Sequence, residues 1–200
     1  MNPKPKPLLI VISAPSGAGK STLCDRLLAA HDDMAYSVSC TTRAPRGGEI
    51  DGIDYHFLTP GAFEQKALAG AFLESAQVHG NRYGTLKQTV RDTLERGGSL
   101  LMDIDVQGAR QVRATLAALP TTDLMVRGFV DIFIRPPSRE ELRRRLEGRG
   151  EDTAEVIERR LANAAAELAD AGRYRYQIVN DDLERTYGEL ETIVRKEQQV

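Results

Sequence analysis

Lys20 stands between Gly19 and Ser21 at the end of the stretch VISAPSGAGKSTL, residues 11–23. That run approximates G-x-x-x-x-G-K-[ST], a loop whose backbone N–H groups wrap the phosphates of a nucleotide. In that pattern the lysine reaches the β- and γ-phosphates and the hydroxyl meets Mg²⁺. Lys20 and Ser21 supply both groups, and Gly17 and Gly19 allow close backbone approach and positive φ at little cost. The first position of the pattern holds Ala14 instead of glycine. Such an alanine costs little at negative φ and about 1–2 kcal/mol in the left-handed region. An apolar strand runs into the loop and a helix leaves it, and a helix N-terminus favours anions. These features predict a working nucleoside triphosphate site rather than a chance turn.

A second group could hold another phosphate. SVSCTTRAPRGGEIDGIDYHF, residues 37–57, carries Arg43 and Arg46 on either side of Ala44 and Pro45, with Tyr55 further along. Two guanidinium forks near a phenol suit a phosphate monoester dianion, and two solvated loop arginines are the plain alternative. HGNRYGT, residues 79–85, reads equally well as a hairpin turn. The two cysteines, Cys24 and Cys40, form no disulfide framework, and Cys24 falls among Leu23, Leu27 and Leu28 as a small buried hydrophobe. His31, His56 and His79 lack metal-ligand spacing.

These side chains need elements to hold them. LLIVIS (8–13) is a continuous apolar run, as expected of a strand buried on both faces, and KSTLCDRLLAA (20–30) follows with helical spacing. The alternation returns in SLLMDID (99–105) and the helix after it, in VDIFI (130–134) and SREELRRRLEG (138–148), and in YQIVN (176–180) before a last helix from about 182. Ser138 and Glu141 have capping-box spacing, and Glu140 and Arg144 stand at i,i+4. Alternating strands and helices imply a parallel sheet covered on both faces. Residues 36–85 break the pattern with short polar-alternating strands around a helix near 60–69, and residues 138–162 are densely charged around EGRGED. Two such appendages on a phosphate-binding core suggest a substrate domain and a lid.

At 200 residues, 41% apolar and 28% charged, the chain suits one globular domain. Its net charge of −2 provides no global field for nucleic acid or an anionic membrane. No apolar run approaches the roughly 18 residues of a membrane span, and MNPKPKP reads as a frayed tail. Cysteine usage points to the cytosol.

Taken together, SAPSGAGKSTL, SVSCTTRAPRGGEIDGIDYHF, FLESAQVHGNRYGT, LLMDIDVQGARQVR, RPPSREELRRRLEGRG and IVNDDLE resemble guanylate kinase, in order and spacing, from about residue 8 to 197. Alanine at the first loop position resembles bacterial members. The resemblance implies a P-loop nucleoside monophosphate kinase fold of the α/β class, with a parallel core at about 8–36, 86–137 and 163–200. A small mixed GMP-binding insertion is expected at about 37–85 and a helical lid at about 138–162. It implies transfer of a phosphoryl group from ATP to GMP with Mg²⁺, giving ADP and GDP, in a monomer or homodimer. ATP is expected against Ala14, Pro15, Ser16, Gly17, Ala18, Gly19, Lys20, Ser21 and Thr22, with Asn180 and Asp181 near the adenine. Arg43, Arg46, Tyr55 and Tyr83 match residues that hold the GMP phosphate, and Ser39, Glu74 and Thr85 match those that read guanine. Asp105 resembles an acid facing the acceptor, and Asp103 one that supports the metal's water shell beside Ser21; capping of the following helix is the bland alternative for both. Lys20, Arg145, Arg149 and Arg160 match the charges that close over the transferring group.

Arg82 stands where the family pattern expects an aromatic residue, and ALPTTDLMVRGFV (118–130) looks longer than usual, as a surface loop. Two rivals remain at this level: a kinase of the same fold with another phosphorylated acceptor, such as a ribose phosphate, and a non-catalytic guanylate-kinase-like binding module. The first predicts loss of the guanine-reading set and the second loss of the loop and lid cations; both sets are present.

Overall fold

The computed structural model describes residues 5–148, 150 and 152–199. The loop-bearing strand β1 (Leu9–Ser13) is buried along its whole length, as its unbroken apolar run requires. Among the described residues it lies at the centre of a five-stranded parallel sheet. β7 (Ser99–Asp103) and β2 (Met34–Tyr36) lie on one side, and β8 (Phe129–Arg135) and β9 (Tyr176–Val179) on the other. Successive side chains point to opposite faces. Ile10 and Ile12 accordingly pack with helices α1 (Lys20–Ala30) and α8 (Leu183–Gln199), through Leu23, Leu27 and Leu190. Leu9 and Val11 pack with α3 (Lys87–Glu95) and α4 (Val106–Ala117), through Val90, Leu94 and Val112. The parallel strands leave their C-terminal ends, Ser13, Tyr36, Asp103, Arg135 and Val179, along one rim, where open α/β sheets bind ligands.

A second, mixed sheet has the order β4-β3-β6-β5, from His56–Phe57, Cys40–Thr41, Asn81–Leu86 and Phe72–Val78. Helix α2 (Pro60–Leu68) covers it by stacking Phe63 on Phe72, with ring centroids 4.4 Å apart. The β5–β6 hairpin turns at His79 and Gly80, both at positive φ (48° and 79°), as a type I′ connection demands. The 79–85 segment is thus a hairpin turn for two residues and a strand beyond. Arg82 replaces the missing aromatic contact by lying over the Phe63 ring, 5.8 Å from its centroid, and pairing with Glu64.

Helices α6 (Arg139–Glu147) and α7 (Ala154–Ala169) share a small core of Leu142, Leu146, Ile157, Leu161 and Ala164. Arg143 joins the two helices through Glu158 at 2.5 Å. Ser138 caps α6 by accepting the Glu141 N–H at 3.1 Å, but the reciprocal half of the box is not formed. Glu141 turns its carboxylate to Arg144 and Arg145, which also displaces the expected Glu140–Arg144 pair. Charge-assisted bonds to two guanidiniums outweigh one to a backbone amide.

The 118–130 segment is not a plain surface loop. It contains α5 (Leu124–Gly128), capped by Asp123, with Met125 fully buried against the α3–α4 face. β2 and α3 also have no counterpart in the sequence expectations. No described helix is long and apolar enough to cross a membrane.

Candidate functional site

β1 delivers the chain to the phosphate loop, where Gly17 and Gly19 take φ of 89° and 90°. These are left-handed values that side chains adopt only at a cost. Among the described non-glycine residues only His79 has positive φ, so Ala14 carries no such strain. The loop encloses a cavity lined by residues 14–17 and 19–22 and by Glu167 of α7. Ala18 is buried behind it. Lys20 forms an ion pair with Asp103 at the end of β7. Burial pulls the Lys20 pKa below its ordinary value, against the opposing fields of Cys24, Asp105 and Glu167.

A second cavity opens between the two sheets. Ser39, Tyr55, Glu74, Tyr83, Asp103 and Asp105 all line it, five of them from the set expected to meet an acceptor. Tyr36, Ser37 and Asp54 line it as well, and the sequence pattern gives none of them a role. Thr85 lies behind the wall, 1% exposed, and its N–H donates to Glu74 Oε1 at 3.0 Å. Glu74 is 7% exposed, and its Oε2 lies 3.5 Å from the point a Cβ on Gly108 would occupy. Asp105 is the N-cap of α4, accepting the Gly108 N–H at 2.8 Å, and it lines the cavity too. The capping and cavity-lining readings of Asp105 therefore coexist, whereas Asp103 spends its carboxylate on Lys20.

Burial raises the Glu74 pKa; hydrogen bonds from Thr85 oppose this and the Asp105 charge adds to it. A carboxyl whose folded pKa is raised binds its proton more tightly in the native state. Its contribution to stability is therefore fully present below the unfolded pKa and declines as pH rises through the folded value. Glu74→Gln removes that decline. Urea unfolding should show the variant gaining on the wild type as pH rises from about 4 toward neutrality. A constant difference across that range would show that Glu74 does not titrate as a buried group.

The arginine loop has a partner to which the sequence pattern gives no role. Glu49 accepts Nη1 and Nη2 of Arg43 at 2.9 and 2.8 Å and the backbone N–H of Arg46 at 2.7 Å. Arg43 holds the Glu49 pKa down at about 2. Arg43 also lies 5.3 Å from the Tyr55 ring centroid, and that ring meets Tyr83 edge-on at 5.9 Å. Arg43, Tyr55 and Tyr83 are thus mutual neighbours, while the exposed Arg46 is tied to them only through Glu49.

The charged helices lean on the phosphate loop. A Cβ on Gly17 would stand 3.0 and 3.1 Å from Leu146 and Leu142 of α6, so that helix packs directly on the loop. Arg160 donates to Ser16 Oγ at 3.1 Å and pairs with Asp152 at 3.1 Å. Arg145 donates to Glu141 at 2.8 Å and to the backbone oxygen of Asn180 at 2.8 Å. Arg149 lies outside the described residues. Asn180 sits at the end of β9 as expected, yet it does not line the loop cavity, and its buried carboxamide donates to Ala18 O at 2.8 Å. Asp181 is paired with Arg185. Between α4 and α7 a polar cleft shares Asp105 with the second cavity and Glu167 with the loop cavity. Two cavities joined in this way, one built for phosphates and one beside a buried carboxylate, suit transfer between two bound anions.

A family model described as guanylate kinase matches residues 6–197. A guanylate kinase of Nitratidesulfovibrio vulgaris is 54% identical over 183 residues, covering 92% of this chain and 84% of the relative. One of Syntrophotalea carbinolica is 50% identical over 190 residues, covering 95% of this chain and 86% of the relative. The crystal structure of guanylate kinase from Anaplasma phagocytophilum superposes with a TM-score of 0.69 at 36% identity, covering 98% of this chain and 89% of that one.

Proposed function

We propose a division of labour for the residues of this chain, which belongs to the guanylate kinase family and moves a phosphoryl group from ATP to GMP. The phosphate-loop cavity takes ATP, and the cavity between the sheets takes GMP. The observation that carries this assignment is the gathering of Glu74, Ser39, Tyr55, Tyr83 and Asp105 on one cavity that reaches the loop through Asp103 and Lys20. Guanine presents N1–H and N2–H₂ side by side, and the free capacity of the Glu74 carboxylate accepts them. Thr85 acts from behind by fixing that carboxylate. Arg43, Arg46, Tyr55 and Tyr83 hold the GMP phosphate, with Glu49 setting the Arg43 fork. The second sheet then serves as the acceptor domain, and α6 with α7 serves as a lid over the donor.

The acceptor oxygen of GMP is already anionic near neutrality, so the reaction needs no general base. Catalysis comes from aligning two anions and neutralising the charge that spreads over the transferring group. Lys20, Arg145, Arg149 and Arg160 supply protein charge, and closing α6 and α7 over the loop excludes water. Ser21 on the loop cavity is a hard oxygen donor that would hold Mg²⁺, and Asp103, tied to Lys20, would support the ion's water shell. When bound, that ion neutralises β- and γ-phosphate oxygens. The buried free thiols Cys24 and Cys40 suit a reducing, cytosolic setting and a place in purine nucleotide metabolism.

Steady-state kinetics of Arg43→Ala and Arg46→Ala test the assignment of sites. A charge-assisted hydrogen bond is worth about 1.5–3 kcal/mol, so KM for GMP should rise roughly 10- to 100-fold while KM for ATP stays near wild type. A collapse of ATP affinity with GMP binding untouched would mean the two sites are exchanged.

A further inference from the structure

Ser37 is 5% exposed, and its Oγ is buried with no hydrogen-bond partner among the described residues. A buried hydroxyl in that condition is costly, and native proteins leave few of them. The residue lines the cavity between the two sheets. It is the first position beyond β2, and its backbone N–H donates to Leu101 O of β7 at 2.9 Å, which holds it as one more rung of the parallel sheet. β7 ends two residues later at Asp103, the partner of Lys20. Tyr36, just before Ser37, shares the cavity with Tyr55 of the arginine clamp. Burial raises the Tyr36 pKa, and the nearby Cys24 and Tyr55 add to the rise, so the end of β2 lies close to the clamp.

The transferring group must stand in line between donor and acceptor. The acceptor's phosphate therefore belongs where the second cavity meets the Lys20–Asp103 pair, and Ser37 and Asp103 line that cavity from neighbouring strands. The far end, where the base belongs, is marked by Glu74, Thr85 and the first turn of α4. A serine hydroxyl has one donor and two acceptor lone pairs, and its χ1 has three staggered settings. Rotation about that bond turns Oγ to the cavity without moving the backbone. We propose that Ser37 donates its hydroxyl to the phosphate of the acceptor nucleotide and is unpaired until that phosphate arrives. This rests on the assignment of the second cavity to GMP.

Ser37→Ala deletes one unpaired oxygen. Removing a buried unsatisfied group is neutral or stabilising, so the free variant should melt at or above the wild-type temperature. GMP binding, measured by calorimetry without ATP, should weaken about 10-fold or more, the loss of one hydrogen bond to a charged group. Inhibition by guanosine, which has the base and ribose but no phosphate, should keep its Ki, and KM for ATP should hold. In the wild-type protein the Ser37 amide resonance should shift with GMP and with ribose 5-phosphate but not with guanosine, which keeps the test available even if the variant folds poorly. A Kd for GMP within twofold of wild type would overturn the proposal. So would a guanosine Ki that rises with it, because the contact would then be to base or ribose, or an amide shift that follows guanosine. A lower melting temperature would mark Ser37 as a structural hydroxyl and overturn it too. Failure of the acceptor-site assignment itself would look different: Arg43→Ala would then leave GMP binding intact as well.

Discussion

Glu74→Gln should abolish most of the enzyme's preference for GMP over AMP. A site built to hydrogen-bond required donors rejects analogues lacking them by about 10⁴-fold or more in kcat/KM, and the wild type should discriminate at roughly that level. Adenine turns the N1 lone pair toward the carboxylate, leaving a buried charge facing an acceptor. In the structure Glu74 Oε1 already accepts the Thr85 N–H at 3.0 Å, so the carboxylate cannot swing away. A glutamine there has no good orientation. With its oxygen on Thr85, its NH₂ opposes a guanine N–H; flipped, its NH₂ opposes the Thr85 N–H. GMP turnover should fall steeply while KM for ATP stays near normal, and the GMP/AMP ratio should shrink. An unchanged ratio would mean that another residue reads the base, and Asp105, on the same cavity wall, would be the first to examine.

Lys20→Met should leave the fold intact and lower kcat by ~10²–10⁴-fold, the range for losing one preorganised charge contact in a phosphoryl-transfer site. Methionine retains the length and apolar stem of the lysine, so packing around the loop is preserved. The charge is irreplaceable in place: among the described residues of the loop cavity, Lys20 is the only cation, and Asp103 is its direct partner. Circular dichroism and the unfolding midpoint separate a folding defect from a catalytic one. Retention of more than half the wild-type rate with unchanged folding would remove the loop from the donor site.

The parallel core was legible because β1 is an unbroken apolar run, β7 and β8 are mainly apolar, and stretches of helical spacing follow them. β2 was not, since three residues are too few for any periodicity to show. α5 hid because its five residues, Leu124–Gly128, make little more than one turn, too short for a helical period to show, and Met125 alone of its large side chains is fully buried. At the site, glycines and arginines in fixed spacing announced the loop and the clamp. The parts played by residues that work through others carried no such mark. The resemblance names Thr85, but what its backbone N–H does for Glu74 is something any residue could supply, and Glu49 is one carboxylate among many until Arg43 is seen beside it. Glu167 reaches the loop cavity from a helix whose place depends on the whole fold.

Cys24 lies one helical turn beyond Lys20, yet it is 1% exposed, and burial pushes its thiol pKa up to about 11; Cys40 is equally hidden and also raised to about 11. The thiolate is the reactive form, and both factors withhold it. Thiol-directed oxidants and alkylating reagents therefore meet almost no thiolate on the native surface, although a cysteine sits four positions from the loop lysine. Modification must wait for the chain to open, so its rate in dilute reagent reports the protein's own excursions from the folded state. The two buried thiols thus make a built-in clock for unfolding.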